Sequence, residues 1–244
     1  MTYSLLLHAI KPKPTRKELE EISVNVPSVA KADCGAMVED WFGIIVSGKE
    51  LDDARAFQFA LEAKGCPTEL VADRDIPALH PDYRCQRITL ENDVITLTDA
   101  MGKSYSRNKN YLVFLAAGAV EKQKMKTEYE FEREQQGDQT VTVRNVIRSY
   151  EEKPYFRFDL FFSNGPHRVS LEIEKNSVLF YGESPIRLKN TLDLTVLMVD
   201  LQVLLPPERM NRSLRELSMT HVYPSMHAYQ EELRWAFYRL GARG

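Results

Sequence analysis

Residues 3–72 alternate apolar runs of strand character with stretches whose apolar positions recur at helical spacing. Thr15 and Glu18 form a capping box, which predicts the start of an amphipathic helix. Ser47 and Glu50 repeat that signal ahead of a second helix, and Gly65 follows it at the position of a C-terminal cap. The predicted elements are strands at Tyr3–Ile10, Ala36–Val46 and Cys66–Ala72, a helix opening at Thr15, and a helix at Leu51–Lys64.

Beyond Arg84 the apolar positions change to a period of two, which is the pattern of half-buried β-strands. Asn164-Gly165 is the strongest hairpin signal in the chain. The stretch Glu121–Asp138 is highly charged, and we expect a loop, an extended hairpin or a linker there. The predicted strands are Arg84–Leu90, Asp93–Asp99, Tyr111–Ala116, Thr140–Tyr150, Tyr155–Ser163, His167–Glu174 and Ser177–Tyr181, with a loop at Lys103–Asn110 and helices at Thr191–Leu205 and Ser225–Leu240.

These elements predict an α+β protein of two unlike domains. Residues 1–80 form a ferredoxin-like α/β layer, because strands and helices alternate there. Residues 81–244 form a mostly antiparallel β domain followed by two C-terminal helices. The boundary between the two domains falls near residues 76–84.

Two resemblances refine this expectation. The strand Ile44–Val46, the helix Leu51–Lys64 and the turn and strand Gly65–Val71 resemble the short units of bacterial signal-transducing proteins and of ferredoxin-like accessory domains. That resemblance implies a binding or sensory module rather than a reaction. The seven later strands and the helix Thr191–Leu205 resemble a pleckstrin-homology-like (PH-like) barrel, in which a C-terminal helix closes one open end.

Composition narrows the classes of partner. The 244 residues include 32 Lys and Arg against 35 Asp and Glu, a net charge of −3, so a global positive field for nucleic acid or an anionic membrane is absent. Cys34, Cys66 and Cys85 are far apart, which suits reduced thiols in a reducing compartment. Neither a secretory signal nor a stretch of ~20 apolar residues is found. We therefore expect a cytoplasmic protein with no membrane contact.

Recognisable catalytic motifs are absent from the sequence. It contains no glycine-rich phosphate-binding loop, no H-E-x-x-H pair and no G-x-S-x-G turn, so we expect no metal and no cofactor. The polar residues nearest the predicted domain boundary are Asp73, Asp75, His80 and Arg84. Because clefts at domain junctions often bind small molecules, these four residues form a candidate enzyme site. Asp73 and Asp75 also have the D-x-D spacing of some metal sites, although acidic residues commonly cap turns at such positions.

Charge is segregated in the middle of the chain. Basic residues precede an acidic stretch at Glu128–Asp138. This pattern predicts that Glu121–Asp138 is an arm that docks on a protein partner or on a second copy of the chain. The alternative is an exposed hairpin whose charges keep it soluble. The basic candidates for binding are Lys103, Arg107, Lys109, Lys122, Lys124 and Lys126.

Arg234, Trp235 and Tyr238 lie off the main apolar stripe of the last helix and are a second candidate contact surface, because Arg, Trp and Tyr are enriched in binding hot spots. The alternative, which we favour, is that this helix is buried between the two domains. Tyr105 and Tyr111 beside the basic loop leave a weaker possibility, the binding of single-stranded nucleic acid.

The sequence therefore predicts a non-enzymatic binding or regulatory module that mediates protein–protein contact or self-association. The alternative is an enzyme whose site lies in the inter-domain cleft near residues 73–84.

Overall fold

The computed structural model describes residues 1–11, 13–121, 123–136, 139–152, 154–174, 177–187, 191–217 and 222–241, with the backbone alone at residues 40, 123–136, 139–152 and 191. Its strands, numbered along the chain, are β1 (Tyr3–Leu7), β2 (Ile44–Lys49), β3 (Thr68–Ala72), β4 (Tyr83–Cys85), β5 (Arg87–Glu91), β6 (Val94–Thr98), β7 (Ser104–Asn108), β8 (Leu112–Val120), β9 (Gln123–Gln136), β10 (Gln139–Glu152), β11 (Tyr155–Phe162), β12 (Arg168–Ile173), β13 (Leu179–Tyr181), β14 (Ser184–Ile186) and β15 (Val222–Tyr223). Its α-helices are α1 (Arg16–Ser23), α2 (Cys34–Asp40), α3 (Leu51–Ala63), α4 (Thr191–Gln202), α5 (Arg212–Arg215) and α6 (Met226–Arg239).

The first sheet has the strand order β2-β1-β3, and β1 is antiparallel to both neighbours. Helix α3 packs on one face, where Leu5, Phe57 and Leu61 share a buried cluster with residues of α1 and α2. The other face is also covered, because Leu6 and Ile44 pack beneath α6. Burial on both faces explains why residues 5–7 of β1 form a continuous apolar run rather than an alternating one.

Two further five-stranded sheets enclose the larger core. Their strand orders are β15-β8-β11-β12-β4 and β14-β13-β5-β6-β7, and most of their pairings are antiparallel. Phe158 of β11, Ile95 of β6 and Leu197 of α4 are fully buried between them. The structure is therefore α+β, with helices and several mostly antiparallel sheets, as the sequence predicts.

Helix α6 lies between the first sheet and the sheet that contains β11. Tyr229 and Leu233 pack against the outer face of β8 and β11. On its opposite side Trp235 and Tyr238 contact the first sheet, and the Trp235 indole donates to the Leu7 carbonyl at 2.7 Å. This arrangement is the one that we favoured from the sequence.

Strands β9 and β10 form a two-stranded antiparallel hairpin with an unbroken register from Gln123↔Glu152 to Gln136↔Gln139. Of the three expectations for Glu121–Asp138, the backbone matches the extended hairpin. Within the described residues these two strands pair only with each other.

Three local expectations are wrong. Residues 36–40 belong to α2 and not to a strand, because Cys34, Met37 and Trp41 recur at helical spacing and bury one side. Ser47 does not cap α3: it lies in β2, and its hydroxyl oxygen lies 2.9 Å from the hydroxyl oxygen of Ser4.

The third concerns Lys103–Asn110, which is not a loop. It contains β7, which pairs with β6 as an antiparallel strand. Side-chain hydroxyls also contact each other across this pair, with Thr96–Ser106 and Thr98–Ser104 each at 2.9 Å. The strand was not predicted because β7 is mostly polar and lies exposed at the edge of its sheet.

Among the described residues, none of the helices has both the length and the apolar character needed to cross a membrane.

Candidate functional site

A cavity of about 490 Å³ opens where three separate parts of the fold meet. These parts are the segment 78–82, which follows the first sheet and leads into β4, the start of β12, and the N-terminal half of α6. The volume lies within the range of about 300–1,000 Å³ that is usual for small-molecule sites. The lining residues are Ala78, Leu79, His80, Pro81, Asp82, Arg168, His227, Gln230, Glu231 and Arg234.

A buried carboxylate anchors the charged groups behind this cavity. Asp159 of β11 is 0% exposed and accepts hydrogen bonds from Arg157 Nε at 2.6 Å and Nη2 at 2.9 Å. It also accepts one from Arg168 Nε at 2.7 Å and one from the Tyr229 hydroxyl at 2.9 Å. Burial and then the charge of Asp159 raise the pKa of Tyr229 well above its ordinary value, so this hydroxyl stays a donor. Strands β11 and β12 and helix α6 thus meet on one carboxylate.

Arg157 extends the network towards solvent. It donates to Asp82 at 2.8 Å and to Glu172 at 2.5 Å while remaining 2% exposed. Burial opposes ionisation of Asp82, but the hydrogen bonds and positive charge of Arg157, with the Ser170 hydroxyl, outweigh it and lower the pKa of Asp82. The carboxylate at the cavity wall is therefore already committed to an arginine and a serine.

Arg168 is committed only in part. Its side chain is 3% exposed, and its guanidinium lies 5.6 Å from the centre of the Phe161 ring. The Nε atom donates to Asp159, whereas the buried Nη2 atom has no hydrogen-bond partner within the described part of the chain. A buried donor without an acceptor costs about 1–3 kcal/mol. Arg168 therefore brings unused hydrogen-bonding capacity to a residue that lines the cavity.

Two histidines and one ion pair complete the walls. His80 stacks on His167 with ring centres 4.7 Å apart, and His167 Nδ1 lies 3.2 Å from the Phe162 carbonyl oxygen. His227 is in the first turn of α6, whose N-cap is Ser225. Glu231 accepts a hydrogen bond from Arg234 at 2.7 Å, and Arg234 also donates to the Pro77 carbonyl at 3.3 Å.

The four boundary residues selected from the sequence have different positions. His80 lines the cavity. Asp73 instead accepts from Ser4 at 2.5 Å and from the Gly48 amide at 3.2 Å, which is a structural role at the edge of the first sheet. Asp75 is exposed beside Arg74, and Arg84, exposed by 71%, lies 3.4 Å from Glu172. The structure thus brings one of these four to the described wall of the cavity.

The basic candidates do not form one cluster among the described side chains. Lys103 lies over the Tyr105 ring at 5.0 Å, Arg107 donates to the Gly165 carbonyl, and Lys109 pairs with Asp93 at 2.6 Å. Lys122 lies outside the described residues, and Lys124 and Lys126 are in β9, of which only the backbone is described. Their role in binding a partner stays a prediction.

Trp235 and Tyr238 make contacts within the chain. Trp235 donates to the Leu7 carbonyl at 2.7 Å, and Tyr238 donates to Glu69 at 2.7 Å. These bonds hold α6 on the first sheet, and a partner-binding role for the two side chains also stays a prediction.

Sequence reasoning missed Arg168, His227 and Glu231, and it assigned Arg234 to a contact surface rather than to a cavity. One signal was available, since Arg157 and Asp159 interrupt a strand that is otherwise apolar, and charges at buried positions require partners. That signal indicates a buried ion cluster but does not show which distant strand or helix supplies the other charges.

A metal or thiol mechanism has no support in the described residues. No group of three or more His, Cys, Asp or Glu side chains there is arranged to hold a metal. The three cysteines are buried and outside any disulfide, and burial is the first cause that raises the pKa of each thiol, to about 12 for Cys85. Raised thiol pKa values oppose nucleophilic use of these residues.

Comparison of the chain with known protein families, curated proteins and solved structures finds no significant match.

Proposed function

We propose that this chain is a binding protein that holds a small polar molecule in the cavity between segment 78–82, β12 and α6. The observation that carries the proposal is Arg168, which lines this cavity, is almost fully buried, and keeps a guanidinium nitrogen without a partner among the described residues. Binding at a junction of separate structural units would couple the ligand to their packing, which suits a regulatory module.

We also propose a finer description of the fold. We keep the ferredoxin-like description for the N-terminal layer and the PH-like description for the β part, supported by helices on one face of the first sheet and by the buried side of α4, which shares one cluster with residues of both five-stranded sheets. Three buried cysteines outside any disulfide support a cytoplasmic location. Contact with a protein partner or a second copy through the β9–β10 hairpin remains part of the proposal, supported by the charge segregation of its sequence.

An enzyme that uses the same cavity is the second candidate. His80 and His227 both line it, and imidazoles are common general acids and bases near neutral pH. We rank this candidate second because no hydroxyl or thiol lines the described part of the cavity, and both carboxylates there are paired with arginines.

A thermal-shift screen with small charged and neutral metabolites tests the proposal. We expect at least one compound to raise the melting temperature, because a ligand at 100 times its Kd stabilises the folded state by about 2.7 kcal/mol. Gln230→Trp, which fills the cavity, should abolish the shift, whereas Gln86→Trp at an exposed position should preserve it.

A shift that survives in Gln230→Trp would place the ligand elsewhere and contradict the proposal, as would a screen without any stabilising compound. Conversion of the bound compound to a product by the wild type would favour the enzyme candidate.

A further inference from the structure

We infer that the ligand carries a phosphate-type oxyanion, and that Arg168, His80 and His227 donate hydrogen bonds to it. This inference rests on the proposed function, because it names the chemical class of the molecule held in the same cavity.

Arg168 requires a hydrogen-bond acceptor that the described residues do not supply. The guanidinium is 3% exposed, Asp159 occupies its Nε, and its Nη2 has no partner among the described residues. Guanidinium groups bind the oxygens of phosphates and carboxylates in a planar fork, and such charge-assisted bonds are stronger than neutral ones. Because Nη2 is buried, an oxyanion at the cavity wall would supply this acceptor after a rotation of the Arg168 side chain that turns Nη2 towards the cavity.

Two acidic residues line the described part of the cavity, and their negative charges would repel an anion. Asp82 and Glu231 line the cavity, but Asp82 accepts from Arg157 at 2.8 Å and from Ser170 at 3.0 Å. Glu231 accepts from Arg234 at 2.7 Å. Both carboxylates therefore have an arginine at hydrogen-bond distance, and Asp82 shares Arg157 with Asp159 and Glu172.

The other two proposed donors at the cavity are His227 and His80. His227 is in the first turn of α6, a helix of 14 residues, and the N-terminus of a helix carries partial positive charge that favours anions. His80 belongs to segment 78–82 and its ring is stacked on His167. A neutral imidazole still donates one ring N–H.

The geometry of the cavity favours phosphate over carboxylate. Arg168, His80 and His227 belong to three different parts of the fold, and all three line the cavity. A tetrahedral phosphate presents oxygens in several directions, whereas the two oxygens of a carboxylate lie in one plane. Donors from three separate parts of the fold therefore match the tetrahedral group better.

Calorimetric titration of the whole protein tests this inference. The probes are inorganic phosphate, a hexose phosphate and a nucleoside monophosphate, with succinate as the carboxylate and glycerol as the neutral compound. We expect saturable binding of at least one phosphate probe, and the three phosphate arms show whether the free ion, a sugar or a nucleoside is preferred. His227→Ala and His80→Ala should each weaken it by about tenfold or more, because each removes a donor to a charged group.

His8→Ala is the matched control, because His8 is exposed at the end of β1 and lies outside the cavity wall. Arg168→Lys, which keeps the charge and loses the fork, should also weaken binding; its folding is verified by its unfolding curve, and the two histidine variants decide the matter where it does not fold.

Two outcomes separate this inference from the proposed function. If succinate or a neutral compound binds in the cavity and phosphate probes do not, the oxyanion inference is wrong and the binding function stands. If phosphate binds equally to wild type, His80→Ala and His227→Ala, the anion site is elsewhere and the inference is wrong. If no probe and no screened compound binds, both fail.

Discussion

Replacing Asp159 by asparagine should lower the free energy of unfolding by about 3–5 kcal/mol, the range expected when one partner of a buried ion pair is removed. The substitution keeps the shape of the side chain but removes the charge that faces both Arg157 and Arg168. Arg157 retains Asp82 and Glu172, whereas Asp159 is the carboxylate that Arg168 contacts in the described structure. A buried guanidinium without a counter-ion is the physical origin of the loss.

Urea unfolding of Asp159→Asn and of a surface control measures this effect. Glu20→Gln breaks an exposed ion pair with Arg16 at 2.8 Å, and we expect it to cost no more than about 1 kcal/mol. Equal losses in the two variants would mean that Asp159 does not hold β11, β12 and α6 together.

Substitution of Gly43 by alanine should be the most damaging change of a single methyl group that we predict. Gly43 has φ +108°, and a Cβ atom placed there would lie 2.3 Å from Cγ and 2.6 Å from Cβ of Trp235. These atoms are close to the backbone of α6, so the helix itself would have to move. Overpacking of this kind costs about 1–3 kcal/mol.

Gly48→Ala is the matched control. Gly48 has φ +74° but a Cβ atom there would meet nothing within 4 Å. Its substitution therefore reports the backbone strain alone, about 1–2 kcal/mol for a left-handed residue with a side chain. We expect Gly43→Ala to lose clearly more free energy of unfolding than Gly48→Ala, and an equal loss would contradict the close packing of α6 on the first sheet.

Local signals predicted several elements because those signals act within a few residues. The capping box of α1 is present, with the Glu18 carboxylate accepting from the Thr15 amide at 2.7 Å. Helix α3 starts at Leu51 as predicted, although its expected Ser47 cap is absent. Helix α2 was missed because its apolar residues run directly into those of β2, so that two periods overlap in one apolar stretch.

The candidate site could be predicted only in part. His80 was selected because it lies next to the predicted boundary, and position along the chain was enough to identify it. Arg168 and His227 are distant from it in sequence, and nothing in their local patterns shows that β12 and α6 approach segment 78–82. Long-range contacts of this kind depend on the packing of α6 between two sheets, which no short motif encodes.

The cavity lies beside both the buried charge network of Asp159 and helix α6. Asp159 draws Arg157, Arg168 and Tyr229 together behind the wall, and the resulting network leaves one guanidinium nitrogen unused in the described structure. Because α6 also packs on the first sheet, a ligand that contacts His227 would act on the element that joins the sheets.

Crystals grown with sodium tungstate offer the most direct test, because tungstate is a tetrahedral oxyanion whose position is visible by anomalous scattering. We predict a tungstate in the cavity. Its oxygens should lie within about 2.7–3.2 Å of a guanidinium nitrogen of Arg168 and of at least one ring nitrogen of His80 or His227. An empty cavity in crystals whose surface sites are occupied by tungstate would contradict the account.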